Sequence, residues 1–212
     1  MDRAGRAQRM MSVAQLIEDE EFNQLSALMN SPDWQTRDRF LELRSPWLTL
    51  IGEHLQEPQQ EQILKYWRVE KADSVIILPI QSHQLILPHP TYRPGLGKAT
   101  LDFPGGRLPE GEQPLAVVPT ILQRELGVTA EDIAQITPLN SQGWAVNSSF
   151  SNQKLYGFVT DLHSTAKIPA NFIGGTYPIT DSGIESLLKS LTCLQCRALL
   201  LEWWLTRSRS LS

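Results

Sequence analysis

The sequence predicts an α/β (α+β) sandwich, helices packed on a mixed sheet, behind a helical N-terminal extension. Three observations lead there. Short β-branched or aromatic runs follow one another from Pro46 to Leu87, with turn-forming or polar residues between them. A further run ends at the pair Gly105-Gly106, and a helix-like stretch then closes on Gly127. Another set of strand-like runs gives way to a Leu-rich helical segment near the C-terminus, and strands alternating with helices in this way need two layers of helix on one sheet.

Taken in order, residues 1–44 form the extension. Val13, Leu16 and Ile17, then Phe22, Leu25, Leu28 and Met29, have helical spacing; Asn30-Ser31-Pro32-Asp33 reads as a turn, and Trp34, Phe40, Leu41 and Leu43 predict a second short helix. The main domain spans residues 45–207. Strands are expected at Trp47–Ile51, Ile63–Val69, Ser74–Ile80, Gln84–Leu87 and Thr100–Phe103, and later at Ile133–Leu139 and Leu155–Asp161. A helix is expected to reach Leu126, with left-handed Gly127 after it and Pro119 tolerated if it stands in the first turn. One long final helix is expected from Ile184 to Thr206, with a tail at 208–212.

Composition narrows the function. With 41% apolar and 20% charged residues the 212-residue chain can bury one good core, and a net charge of −4 argues against a general nucleic-acid surface. Arg3, Arg6, Arg9, Arg207 and Arg209 gather at the ends, where solvated termini explain them. The apolar run Ala198–Leu205 is too short to span a bilayer and contains Glu202, so the expectation is a cytoplasmic protein without a membrane partner. Cys193 and Cys196 lack the second pair or histidines of a structural zinc site. Their i, i+3 spacing in a Leu-rich segment fits small buried hydrophobes, with a redox pair as the alternative.

The chemistry lies in the segment from Phe103 to Val128. Gly105, Gly106 and Gly111 let backbone approach a phosphate, and the helix after them can present side chains on one face. The spacing resembles the signature of the Nudix hydrolase family: glycine, five residues, glutamate, seven residues, Arg-Glu, an aliphatic, any residue, Glu-Glu, any residue, glycine and an aliphatic. Gly106 takes the first position, Glu112 the glutamate, Leu122 the aliphatic slot and Gly127-Val128 the closing pair. The family's Arg-Glu falls on Thr120-Ile121 and its Glu-Glu on Arg124-Glu125. The resemblance therefore implies that Glu125 alone survives of the helix glutamates that ligate magnesium, and that Glu112 has lost its arginine partner to Thr120.

The flanks are similar to the ADP-ribose pyrophosphatase branch of that family, in Leu85–Pro94 and Leu101–Gly106 before the box and Ser148–Asn152 after it. The resemblance covers about Lys65 to Leu162. It implies catalytic roles for Glu125 and Glu112, with Glu125 also the metal ligand if Mg2+ is used, and ligand contacts from Gly105 and Gly106; Arg124, where the family has an acid, is a candidate contact to the pyrophosphate, against the plainer reading of an ion pair in solvent. Arg93 is a candidate for phosphate or ribose and Trp144 for adenine stacking, against the plainer readings of a strand-end arginine and an aromatic closing the core edge. The stretch Ile168–Ile179, where the family often places a basic acid, holds none.

Three functions follow as expectations. The first is a protein that binds a nucleoside diphosphate-type ligand with weak or lost hydrolysis, Arg124 standing in for the cation. The second is an active Mg2+-dependent hydrolase of ADP-ribose or a similar compound, its site rebuilt from Glu125 and Glu112 with Asp102, Glu110 or Asp161. The third is a non-catalytic adaptor that forms a homodimer or meets a partner through its N-terminal helices and Leu199–Trp204.

Overall fold

The computed structural model describes residues 34–57 and 62–209. The first expected helix, at residues 12–29, lies outside them. The described chain divides into two compact units, one of residues 34–42, 52–57 and 62–67, the other of 43–51 and 68–209.

Strands β1 (Gln35–Arg44), β2 (Thr49–Gln56) and β3 (Ile63–Glu70) form a three-stranded sheet in that order. β1 corrects the second expected helix. Its side chains are almost all exposed, so there is no apolar stripe for a helix to bury, whereas pairing with β2 satisfies the backbone. In the first unit Phe40 meets residues of the other two strands: Trp67 edge-on at 5.3 Å, His54 at 4.9 Å between ring centroids, and the Lys65 ammonium 4.7 Å above its ring. The Phe40 ring covers Gly52, where a Cβ would collide with it, so glycine lets the ring lie flat on β2.

The second unit holds a seven-stranded mixed sheet. Its main path runs β10 (Trp144–Ala145), β11 (Lys154–Leu162), β4 (Ser74–Gln81), β5 (Gln84–Pro88) and β12 (Ile173–Pro178); β9 (Ile133–Pro138) pairs with β11 and β8 (Gly105–Arg107) with β4. β4 and β11 run parallel, from Ser74 opposite Leu155 to Ile80 opposite Asp161; β11 with β9 and β10, β5 with β12, and β4 with β5 and β8 are antiparallel. β4 and β5 join through Ser82-His83, both left-handed at φ 48° and 60°. Between β5 and β8, β6 (Thr91–Arg93) and β7 (Lys98–Thr100) form a separate hairpin whose turn ends on Gly97 at φ 66°. The strand expected at Thr100–Phe103 thus ends early, and Asp102 and Phe103 are buried side chains of the connection into β8.

Period-2 alternation in β4 builds two cores. Val75 and Ile77 point to one face, where α1 (Val118–Leu126) lays down Val118, Ile121, Leu122 and Leu126. Ile76 and Leu78 point to the other face, covered by α2 (Asp181–Ser190) and α3 (Leu194–Arg209) through Ile184, Leu187, Leu199, Leu200 and Trp203. This is the expected α/β/α sandwich. The one long final helix is instead two, because Leu191 turns extended (φ −78°, ψ 123°) to bury its side chain. Among the described residues, no helix is long and apolar enough to cross a membrane.

Candidate functional site

Helix α1 carries the box. Pro119 stands in its first turn, where no intrahelical amide is lost, and Gly127 ends it at φ 67° with its N–H on the Gln123 carbonyl at 3.0 Å. Beside it lies a cavity of about 420 Å3 lined by Arg107, Glu112, Val117, Thr120, Ile121 and Arg124, with Pro109 and Ala116.

Arg124 organises this cavity. Its Nε donates to Glu125 Oε1 at 2.8 Å and its Nη2 to the Gly105 carbonyl at 2.8 Å, so the guanidinium ties the last turn of α1 to β8. More than half the side chain stays exposed, at 56%, and its remaining N–H groups have no partner among the described residues. Glu125 is thus neutralised by its neighbour in sequence. Glu112, exposed on the loop, makes no side-chain hydrogen bond among the described residues. Gly105 and Gly106 serve close packing: a Cβ on Gly105 would lie 2.9 Å from the Val75 carbonyl, and one on Gly106 would lie 3.2 Å from Arg124 Nη2 and 3.3 Å from Ile121. Gly111, at φ 79°, has open space around it and shapes the loop.

These residues do not fit a magnesium ion. A hard divalent cation needs several oxygen ligands converging on one point. Ile121 is 3% exposed and packed in the core, Thr120 is uncharged, and the Arg124 cation holds the remaining helix carboxylate. Among the described residues, the convergence of at least three His, Cys, Asp or Glu side chains is Asp102 with Cys193 and Cys196, on the α3 face of the sheet rather than at the box.

Two other candidates sit away from the box cavity. Arg93, on β6, donates through Nε to buried Asp102 Oδ2 at 2.7 Å, and Thr100 Oγ1 donates to the same oxygen at 2.9 Å. Trp144, on β10, packs half-buried against the α2/α3 core. Neither residue lines the box cavity. Arg107, by contrast, was not singled out by sequence reasoning, although it directly follows the glycine pair. It spans the box cavity and an adjoining one of about 580 Å3 bounded by Ser45–Thr49, Glu70–Asp73 and the Arg107–Glu112 loop. Its Nη1 donates to the Pro46 carbonyl at 2.9 Å, its Nη2 to the Trp47 carbonyl at 3.3 Å, and its guanidinium lies 4.7 Å over the Trp47 ring. These partners are neutral, and Glu70, Asp73, Glu110 and Glu112 line the same adjoining cavity.

The site therefore offers two guanidinium groups, one exposed carboxylate and a loop of glycines. Such an arrangement can hold a phosphate by charge-assisted hydrogen bonds. The sequence matches no family model and no curated relative. A crystal structure of an ADP compounds hydrolase is similar in fold, with a TM-score of 0.62 and 21% identity, over 84% of this chain and 98% of that one.

Proposed function

We propose that this protein binds a nucleoside diphosphate-type small molecule at the box cavity, with Arg124 supplying the positive charge that a divalent cation would otherwise supply, and that it hydrolyses the ligand weakly or not at all. One observation carries the reading: the Arg124 guanidinium lies between the Gly105 carbonyl and Glu125 at the box cavity, with N–H groups to spare. Arg107 adds a second cation to the same wall. The similar fold of an ADP compounds hydrolase supports an ADP compound as the ligand class. The reading keeps the cytoplasmic setting expected from composition.

Hydrolysis is weak in this account for an electrostatic reason. Positioned charge that stabilises the transition state is usually the largest catalytic contribution, and a single removed donor already costs about 100- to 1,000-fold in rate. Arg124 is anchored at two points in the ground state, so it binds a diphosphate without generating a nucleophile from water as a metal does. Glu112 is exposed on the loop and makes no side-chain hydrogen bond among the described residues that would position it.

The test is calorimetric titration of ADP-ribose in EDTA. Arg124→Gln removes the guanidinium and its charge while leaving a polar side chain, and should weaken binding about tenfold or more, in line with roughly 1.5–3 kcal/mol for a charged hydrogen bond. Unchanged affinity in that variant sinks the reading. Magnesium-dependent turnover abolished by Glu125→Gln would establish the active hydrolase instead.

A further inference from the structure

On the face of the sheet opposite the box helix, Cys193-Leu194-Gln195-Cys196 begins α3. Cys193 is the residue before the helix and is half-buried; Cys196, in the first turn, is 1% exposed. Their sulfurs and a carboxylate oxygen of Asp102 all lie within 4.8 Å of one another. Cys196 Sγ–H donates to Asp102 Oδ1 at 3.9 Å, while the other carboxylate oxygen is held by Arg93 and Thr100. The junction is fixed by Arg197, whose Nη1 donates to the carbonyl of Leu188 and, at 3.1 Å, to that of Leu191.

This trio lines a cavity of about 440 Å3 with Arg93, Leu96 and Leu194. Leu96 and Leu194 are exposed at 57% and 76%, so the cavity opens to solvent on the Cys193 side. Two cysteines packed only as small hydrophobes would both be enclosed, and the pair is not symmetric in that way.

We propose that Cys193 and Cys196 form a reversible dithiol–disulfide couple that exchanges with low-molecular-weight disulfides bearing a carboxylate, admitted through this cavity, with Cys193 attacking, Cys196 resolving and Asp102 receiving the Cys196 proton. The steps balance. The Cys193 thiolate attacks one sulfur of the small disulfide, forming a mixed disulfide and releasing the first thiolate. Cys196 gives its proton to Asp102 Oδ1 and attacks Cys193 Sγ, forming the intramolecular disulfide and releasing the second thiolate. The protein loses two electrons and two protons; the small disulfide gains both.

Geometry favours each role. Residues three apart at a helix start hold their Cα atoms about 5 Å apart, within the range a disulfide spans. The positive end of the α3 dipole and its free N–H groups favour a thiolate at Cys193. The contact between the two sulfurs lowers the Cys193 thiol, against its partial burial and the nearby Asp102 carboxylate, while the same contact and burial raise Cys196. Arg93 is 48% exposed beside the opening and offers the carboxylate of an entering disulfide a cation.

The experiment incubates the full chain with oxidised glutathione, counts free thiols and weighs the intact protein. Wild type should lose both thiols without keeping glutathione, and Cys196→Ser should retain one glutathione on Cys193. Cys193→Ser should react at least about tenfold more slowly, because only the buried thiol remains. Asp102→Asn should leave the attack within about twofold but let the mixed disulfide persist about tenfold longer, a split between steps that a purely structural role would not produce. Should a variant misfold, iodoacetamide alkylation of the wild-type protein tests the asymmetry of the pair alone, with Cys193 modified at least about tenfold faster than buried Cys196. Alkylation of both thiols at equal rates overturns the proposal. So does glutathione retained by wild type, a pair inert in the folded protein, or stoichiometric Zn2+ that shields both thiols.

Discussion

At the scale of single residues, Ile121 makes this stretch of α1 a packing face: where the resemblance leads one to expect a metal-ligating carboxylate, its side chain contributes to the core formed with Val75, Ile77 and Leu122. Placing an acid there therefore does not make a metal site. Ile121→Glu should bury an unpaired charge, cost roughly 3 kcal/mol or more, and lower Tm by at least about 6 °C in calorimetry without gaining magnesium-dependent turnover. A variant as stable as wild type that hydrolyses ADP-ribose would show that the Ile121 position still faces a usable site. Which residue the signature's spacing would put here was readable from the sequence. Its burial was not, nor was the Arg124 contact to Gly105, because that bond crosses from helix to strand and depends on how α1 sits on β8.

At the scale of elements, local chemistry was readable where a residue type has few options. Gly127 ends α1 in the left-handed region as its position implied, and a Cβ there would press on the Phe172 ring at 3.1 Å. Gly127→Ala should cost about 1–2 kcal/mol in denaturant unfolding, while Pro119→Ala should stay within about 0.5 kcal/mol because the first turn forgoes that amide anyway. The β4–β5 turn offers a gain. Ser82 and His83 both adopt positive φ without being glycine, so His83→Gly should stabilise by about 0.5–1 kcal/mol, measured the same way.

The turn at Ala130–Asp132 carries a pH signature. The backbone N–H and then the hydroxyl of Thr129 donate to Asp132 Oδ2 at 2.9 and 2.8 Å and hold its carboxyl below the ordinary aspartate range. A depressed carboxyl stabilises the fold at pH values above its unfolded pKa, and that contribution disappears as pH falls through the folded value. Thr129→Ala removes only the hydroxyl and should raise the Asp132 pKa part of the way toward the ordinary one in a carboxyl NMR titration; an unmoved value would assign the whole shift to the backbone N–H.

Elements misread from sequence fail for a shared reason: their stabilising partners are distant in the chain. β1 is rich in charged and polar residues and exists through β2, and β12, with two glycines and a closing proline, exists through β5. The break between α2 and α3 has no glycine or proline to announce it, being made by Leu191 turning inward and Arg197 capping from the next helix.

At the scale of the whole molecule, the sandwich separates two chemistries onto opposite faces of one sheet. The α1 face carries Arg107, Arg124, Glu112 and the glycine loop; the α2/α3 face carries Asp102, Cys193 and Cys196, with Arg93 drawn to that side by its bond to Asp102. The fold class was legible because alternating apolar strands and capped helices allow few layer arrangements. The sorting of site residues between faces was not, because Arg93 and Arg124 look equivalent as isolated basic residues near the box. Their difference is long-range: one answers a buried carboxylate, the other a carbonyl at the cavity wall.

The central claim is that arginine replaces metal at the box cavity. The most direct measurement is the affinity of the wild-type protein for ADP-ribose by calorimetry, first with magnesium and then with EDTA, while turnover is followed in the same samples. The account predicts dissociation constants that agree within about twofold and negligible hydrolysis in both, since the cation for the diphosphate is covalently part of the chain. Binding that vanishes in EDTA, or magnesium-dependent release of AMP, would contradict it.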